Sequence, residues 1–228
     1  MNTPLLNRTP ARMVRLPINR IALEGELCVP PGAGGIVIFA HGSGSSRHSV
    51  RNQFVAQRLH ARGLATLLFD LLTEAEDRTY ANRFDIDLLT ERLAVVTDWV
   101  THSPLTTTLT VGYFGASTGA AAAIQAAAAT PATVRALVSR GGRVDLAGEA
   151  LEQLRLPTLL IVGQRDFAVR QLNEEAYRRL QCPKELAEIP DATHLFEEPG
   201  TLEQVAELAT AWFAQYLPIP TGIPASSH

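Results

Sequence analysis

The sequence predicts an α/β fold: a mostly parallel sheet of about eight strands, an antiparallel N-terminal edge and helices on both faces. Three observations carry that expectation. From Gly35 onward, compact β-branched or Leu-rich runs alternate with longer amphipathic segments, the pattern of strands buried on both faces and joined by helices. Before Gly35, two short patterned runs are separated by a turn signal. The chain has 228 residues, 46% apolar and 19% charged, which suits one sizeable core and excludes general disorder or a fibrous repeat.

Met13 to Ile18 and Ile21 to Val29 read as the antiparallel pair, with Asn19 in the turn. Buried strands are expected at Ile36 to Ala40, Leu64 to Phe69, Leu109 to Phe114, Ala136 to Ser139, Thr158 to Val162 and Leu186 to Ile189. Arg51 to Arg62 reads as a helix that stops at Gly63, a residue free to take the left-handed conformation. Asp85 to His102 places Ile86, Leu89, Leu93, Val96 and Val100 on one side and meets Pro104 as a stop. The last helix opens with Thr201 and Gln204 in capping-box spacing and offers Leu202, Val205, Leu208, Ala209, Trp212 and Tyr216 to the core. No repeat or break in composition marks a second domain, so residues 1–217 are expected to form one domain and 218–228 a tail.

Composition narrows the partners. Lys and Arg number 20 against 23 Asp and Glu, a net charge of −3 that offers no footprint for nucleic acid. The small-residue stretch Val111 to Pro131 is too weakly apolar to span a bilayer, so no membrane partner is expected. Cys28 and Cys182 cannot build a disulfide framework, and no Cys or His cluster has metal spacing. The opening MNTPLLNRTPARMVRLP lacks the apolar run and cleavage site of a secretory signal, so the expected setting is cytoplasmic. Oligomeric state leaves no signature in the sequence.

At the end of one strand candidate the chain runs LTVGYFGASTGAAAAIQAAAA. Gly115, Ser117 and Gly119 form GxSxG between strand and helix, the context in which a sharp turn lifts a serine above a sheet. Such a turn strains the serine backbone, and side chains two positions away would collide there. The run from Gly119 to Ala129 holds almost nothing larger than a methyl group, so the helix behind the turn can approach the sheet closely. The competing reading is a Gly and Ala rich turn with an incidental serine.

A serine hydroxyl needs a base, and the base needs an orienting group. In folds with this elbow the chain order is serine, acid, histidine. Only His194 and His228 follow Ser117, and His228 sits in the tail. His194 lies in the loop sequence IPDATHLFEEPG, and Asp166 ends TLLIVGQRD at the carboxyl edge of a strand. Asp145 in SRGGRVDLA is a second candidate acid, Asp191 reads better as an Asx-turn residue, and Asp166 could instead cap the helix starting at Phe167.

The first parallel strand runs into FAHGSGSSRHS, whose glycines and serines let backbone N–H groups face an anion. The expected oxyanion hole takes one N–H from Thr118, after the nucleophile, and one from Ser43, with Gly42 beside it. A phosphate-cradling reading of this GxG is weaker, because Arg47 replaces a third glycine and no GK followed by Ser or Thr is present. His41 is expected to anchor the loop. Arg47 and His48, followed by Arg51, Arg58 and Arg62, read as solvated charge, and Glu74, Glu76 and Asp77 as a wet loop.

With these residues in place, the chain from about Gly35 to Leu217 resembles an α/β-hydrolase, and within that superfamily the small dienelactone hydrolase-like proteins. The resemblance rests on HGSGSS, LATLLFDLLT, GASTG, SRGGRVDLA, VGQRD and PDATHLF. It implies the α/β-hydrolase fold, Ser117 as nucleophile, Asp166 as acid, His194 as base, and no metal or organic cofactor. Dienelactone hydrolases proper use a cysteine where Ser117 stands, so their lactone substrate is not carried over. Only eighteen residues separate Ser139 from Thr158, too few for the large cap that many relatives insert, so the expected site has no large lid. These features lead to the expectation of a serine esterase acting on short or small soluble acyl esters. The alternatives are a thioesterase, peptidase or acyltransferase with the same groups, or a non-catalytic ligand-binding protein on the same fold.

Overall fold

The computed structural model describes residues 9–219; His228 and most of the expected tail lie outside them. The hairpin forms as β1 (Arg12–Ile18) and β2 (Ile21–Cys28), paired antiparallel from Arg12 opposite Leu27 to Ile18 opposite Ile21. Asn19 closes it at φ 52, a left-handed conformation that Asn tolerates better than most residues. Along β1, Val14, Leu16 and Ile18 turn inward while the residues between them face out, the period of two expected of a sheet edge.

Six further strands follow: β3 (Gly35–Ala40), β4 (Ala65–Phe69), β5 (Thr110–Ala116), β6 (Val134–Arg140), β7 (Thr158–Gly163) and β8 (Lys184–Ile189). The sheet order is β1-β2-β4-β3-β5-β6-β7-β8; β2 meets β4 antiparallel, and every pair from β4 to β8 is parallel. The central strands are buried along their whole length, which is why they read as unbroken apolar runs. At the far edge β8 is mostly half-exposed and begins two residues before its expected start, because an edge strand can begin with polar residues.

Helices α1 (Val50–Ala61) and α7 (Thr201–Tyr216) cover one face, packing on Val37, Phe39, Phe114, Val138 and Ile161. Helices α3 (Ile86–His102), α4 (Thr118–Ala129) and α6 (Phe167–Arg179) lie on the other, against Leu16, Ile38, Tyr113, Leu137 and Leu160. Gly63 ends α1 at φ 77 as expected. The capping box expected at Thr201 does not form: Gly200 is the N-cap, the Thr201 hydroxyl donates to Glu198 O, and the Gln204 amide donates to Gly200 O. Thr201 sits one position inside the helix, where its hydroxyl points back to the preceding turn instead of forward to an orphan N–H. Pro218 and Ile219 still lie against the core, Pro218 beside Gly34.

The expected wet loop after β4 is ordered. It folds into α2 (Glu74–Asp77) with a complete capping box between Thr73 and Glu76. Glu76 pairs with Arg92, Asp77 with Arg83 and Glu74 with Arg78, so each acid is held by a cation. Among the described residues no helix is long and apolar enough to cross a membrane. Cys28 and Cys182 are both buried free thiols.

Candidate active site

The carboxyl ends of β3, β5, β6 and β7 and the loop after β8 meet at one edge of the sheet. Ser117 follows β5 and takes φ 50 and ψ −123, a conformation costing on the order of 1–3 kcal/mol for a residue with a side chain. Three close approaches hold it there. A Cβ on Gly115 would lie 2.5 Å from Ala120 Cα, one on Gly119 would lie 2.2 Å from Ala40 O, and one on Gly42 would lie 2.8 Å from Ser117 Cβ. All three positions therefore exclude any side chain, which is the crowding expected of the GxSxG turn. Nearly every residue of α4 from Thr118 to Ala127 is buried, so the methyl-only helix does lie close against the sheet.

Ser117 does not cap α4 with its side chain, and its hydroxyl makes no hydrogen bond among the described residues. Its backbone N–H donates to Arg140 O at 3.3 Å, tying the turn to the end of β6. Gly141, the next residue after β6, approaches the His194 ring so closely that a Cβ there would lie 3.5 Å from Cε1 and Nδ1. Ser117 and His194 thus meet adjacent residues at the end of β6, Ser117 at Arg140 and His194 at Gly141.

His194 Nδ1 and Asp166 Oδ2 are 2.6 Å apart, with the carboxylate side chain 13% exposed and the imidazole 39% exposed. Asp166 precedes α6 but makes no side-chain cap bond, so its carboxylate is committed to the imidazole and not to the helix. Asp145 goes elsewhere: Arg143 grips it with two hydrogen bonds of 2.9 and 2.8 Å. Asp191 stands exposed in a turn at φ 59, but its carboxylate makes no hydrogen bond among the described residues, so the expected Asx turn does not form.

The loop bearing His194 is pinned by Glu198, which accepts from the Thr193 hydroxyl at 2.6 Å and the Thr193 N–H at 3.1 Å. Those bonds, with the Thr193 hydroxyl bond foremost, hold the Glu198 carboxyl below its usual range. At the base of the loop Gly163 admits Ala192 O, which would lie 2.4 Å from a Cβ there. Neither Glu198 nor Gly163 was singled out from the sequence. Nothing in the sequence distinguishes Glu198 from the adjacent Glu197.

On the opposite side, His41 anchors the first loop as expected. Its Nδ1–H donates to Gly42 O at 2.9 Å and its Nε2 accepts from Leu71 N–H at 3.0 Å, which fixes the neutral tautomer. Burial pushes its pKa down, against the opposing pull of the Gly42 carbonyl, Asp70 and Asp77. Thr118, 2% exposed, has a backbone N–H at the first position of α4, where no intrahelical acceptor exists. Ser43 N–H donates to Thr118 Oγ1 at 3.0 Å, so the two expected oxyanion donors are neighbours, one of them engaged by the other's hydroxyl.

Arg47 is not the solvated charge its sequence suggests. Its side chain is 15% exposed and binds both Asp70 and Glu24, clamping the Ser43 loop to β2 and the end of β4. Arg51 is also withdrawn from solvent, with an enclosed Nε that has no partner among the described residues. His48 and Arg58 are exposed, as expected. Phe167 and Leu195, each next in chain to Asp166 or His194, are exposed apolar side chains at the rim, 71% and 41% accessible. No group of three or more His, Cys, Asp or Glu suited to a metal ion occurs among the described residues.

Comparison with known proteins agrees with this architecture. Residues 33–214 match a family model described as an alpha/beta hydrolase domain. A crystal structure of a dienelactone hydrolase from Anabaena variabilis is 55% identical, covers 92% of this chain and 100% of its own, and superposes with a TM-score of 0.91. Est1E from Butyrivibrio proteoclasticus superposes with a TM-score of 0.77 over 89% of this chain and 98% of its own at 16% identity, a likeness of fold alone. A Mycobacterium tuberculosis protein provisionally named a phosphoribosyl transferase is 57% identical over 204 residues, which are 89% of this chain and 46% of that protein. The chain thus spans about half the length of the curated relative it matches.

Proposed function

This chain belongs to the α/β-hydrolase family, in its dienelactone hydrolase-like branch, and from that premise we propose that it is a serine hydrolase cleaving small carboxylic esters. The observation that carries the proposal is the 2.6 Å contact between His194 and Asp166, at the same sheet edge as a serine strained into a half-buried turn. A carboxylate on Nδ1 fixes the ring so that Nε2 is the basic nitrogen, and it stabilises the imidazolium that forms when the ring takes a proton. Ser117 Oγ attacks the ester carbonyl as His194 Nε2 removes its proton. The alcohol leaves with that proton, and water repeats the sequence on the acyl-enzyme.

Thr118 N–H, free at a helix N-terminus, faces the developing oxyanion. Ser43 N–H joins it as a shared donor, with Thr118 Oγ1 holding it in place between turnovers. The exposed Phe167 and Leu195 offer apolar contact to an acyl or alcohol group. The segment from Gly141 to Pro157 is taken up by a 3₁₀ turn and the four-residue α5 (Ala150–Gln153), which supports access for short, soluble substrates. The transferase name of the mycobacterial relative describes a protein of which this chain matches less than half, and no phosphoribosyl chemistry is carried over to these residues.

Ser117→Ala, assayed on 4-nitrophenyl acetate, tests the reading: a loss on the order of 10³-fold or more supports it, and activity within about tenfold of wild type refutes it. Labelling by a fluorophosphonate separates hydrolase from silent binding protein, since an idle site stays unmodified.

A further inference from the structure

Asn173 lies in the middle of α6, 0% exposed, between Val169 and Ala176 on the buried face of the helix. Packing alone favours an apolar side chain there, since a buried amide must be satisfied and Asn is a weak helix former. Half of the amide is satisfied. Its Nδ2 donates to Gly142 O at 2.9 Å and to Val169 O at 2.8 Å, and two carbonyl acceptors at one end fix which end is nitrogen. Its Oδ1 is enclosed without a partner among the described residues, which weakens the fold.

The bond to Gly142 leaves the helix and reaches the loop around which the site is gathered. Gly141 lies against the His194 ring, and Arg143 N–H donates to Ser117 O at 3.0 Å. The strained serine is therefore held at its carbonyl by Arg143 and at its N–H by Arg140 O. Between them Gly142 is wedged: a Cβ there would run into Ser139 Oγ and lie 2.7 Å from Ala120 Cβ on α4. Gly142 is buried, and its carbonyl accepts no other hydrogen bond among the described residues. At the other end, α6 starts directly after Asp166, whose carboxylate meets His194 Nδ1, and Asn173 stands two turns along that helix. One amide joins the helix that carries the acid to the loop that touches both nucleophile and base.

We infer that Asn173 is a positioning residue for the triad: its amide sets the spacing between the Gly141 to Arg143 loop and α6, and through them the alignment of Ser117, His194 and Asp166; this rests on the hydrolase reading above. Without the donor, Gly142 O is buried and unpaired, and the loop moves to satisfy it. Asp166 stays with α6 while the wall behind the His194 ring shifts. A misplacement of about 1 Å costs on the order of 10²-fold in rate, and the loss of one brace from a loop held by other bonds should cost about tenfold.

Asn173→Leu keeps the volume and removes the donor; Asn173→Ala removes it with no added bulk and carries the test if the first variant fails to fold. Ala176→Gly weakens the same helix without touching Gly142 and is the control. On 4-nitrophenyl acetate, with kcat counted per serine titrated by a fluorophosphonate, the Asn173 variants should lose about tenfold in kcat with KM within about twofold, whereas Ala176→Gly should lose stability alone. Adding Asn173→Leu to Asp166→Asn should cost less than about twofold, because the alignment it protects is already gone. The far-downfield proton resonance of His194 Nδ1–H, identified by its absence in His194→Ala, should shift in the Asn173 variants and hold in Ala176→Gly. The proposal is overturned if both variants keep kcat within about twofold of wild type, or if the loss is as large in Asp166→Asn as in wild type. Full activity of Ser117→Ala, or no ester turnover at all, sinks the hydrolase reading alone. The resonance then decides the role of Asn173: a shift supports it, and an unmoved signal in both variants overturns it.

Discussion

Gly119→Ala puts the elbow geometry to a quantitative test. The new methyl would sit 2.2 Å from Ala40 O and 2.5 Å from His41 O, both backbone atoms at the end of β3. Ordinary contact needs roughly 1 Å more, and no side chain can rotate away, so α4 must back off from the sheet along its methyl-lined face. Overpacking of a tight core costs about 1–3 kcal/mol, and a clash with fixed carbonyls places this one near the upper end, about 3 kcal/mol. The same shift carries Ser117 and the Thr118 N–H out of line, where a displacement of about 1 Å costs on the order of 10²-fold in rate. Urea unfolding and ester hydrolysis, measured in parallel, read the two effects. Gly200→Ala is the control: φ is +81 but nothing lies within 4 Å of the added methyl. It should cost about 1 kcal/mol from backbone strain alone and leave turnover intact. A Gly119→Ala protein within about 0.5 kcal/mol of wild type and fully active would refute the crowding argument.

Further expectations concern single bonds. Asp166→Asn should lower kcat on the order of 10³-fold or more by favouring the wrong imidazole tautomer, while Asp145→Asn, whose carboxylate serves Arg143, should stay within about twofold; equal losses in the two variants would reopen the choice of acid. Thr118→Val removes the acceptor of Ser43 N–H and should cut kcat about tenfold with little change in KM, whereas Thr118→Ser retains activity; a faster Thr118→Val would mean that this bond competes with the oxyanion. His60, bonded to Thr66 Oγ1 at 2.7 Å, has its pKa pushed down to about 4 by burial. The unfolded chain, with His near 6.5, takes up this proton first, so the stability His60 contributes is complete above pH 6.5 and is lost as pH falls from there toward 4. From pH 7.5 to pH 5 the loss should be about 2 kcal/mol, and His60→Gln should show that much less decline in urea unfolding; an unchanged pH slope would refute the assignment.

Some of the site was legible because its causes are local. GxSxG between a buried strand and an alanine-rich helix specifies a turn whatever surrounds it, and His41 beside a glycine loop reads as an anchor. Asp166 and Asp145 could not be separated by pattern. Both follow strands at the same sheet edge, and only the packing of the chain shows Arg143 taking one and His194 the other. The errors have a common source. Arg47, Arg51 and Glu76 read as solvated because charged residues usually are, yet each pairs with a group remote in sequence, whereas Glu74 and its partner Arg78 stay exposed as expected.

Sequence alone therefore determined the order of strands and helices, the parallel core with its antiparallel edge, and the identity of the strained serine, since periodicity, turn chemistry and crowding act over a few residues. Tertiary structure alone decided which ionised groups pair and which stay unmatched. Coulombic and hydrogen-bond partners are chosen by distance in space and by loss of solvent, and neither quantity is written in the neighbours along the chain.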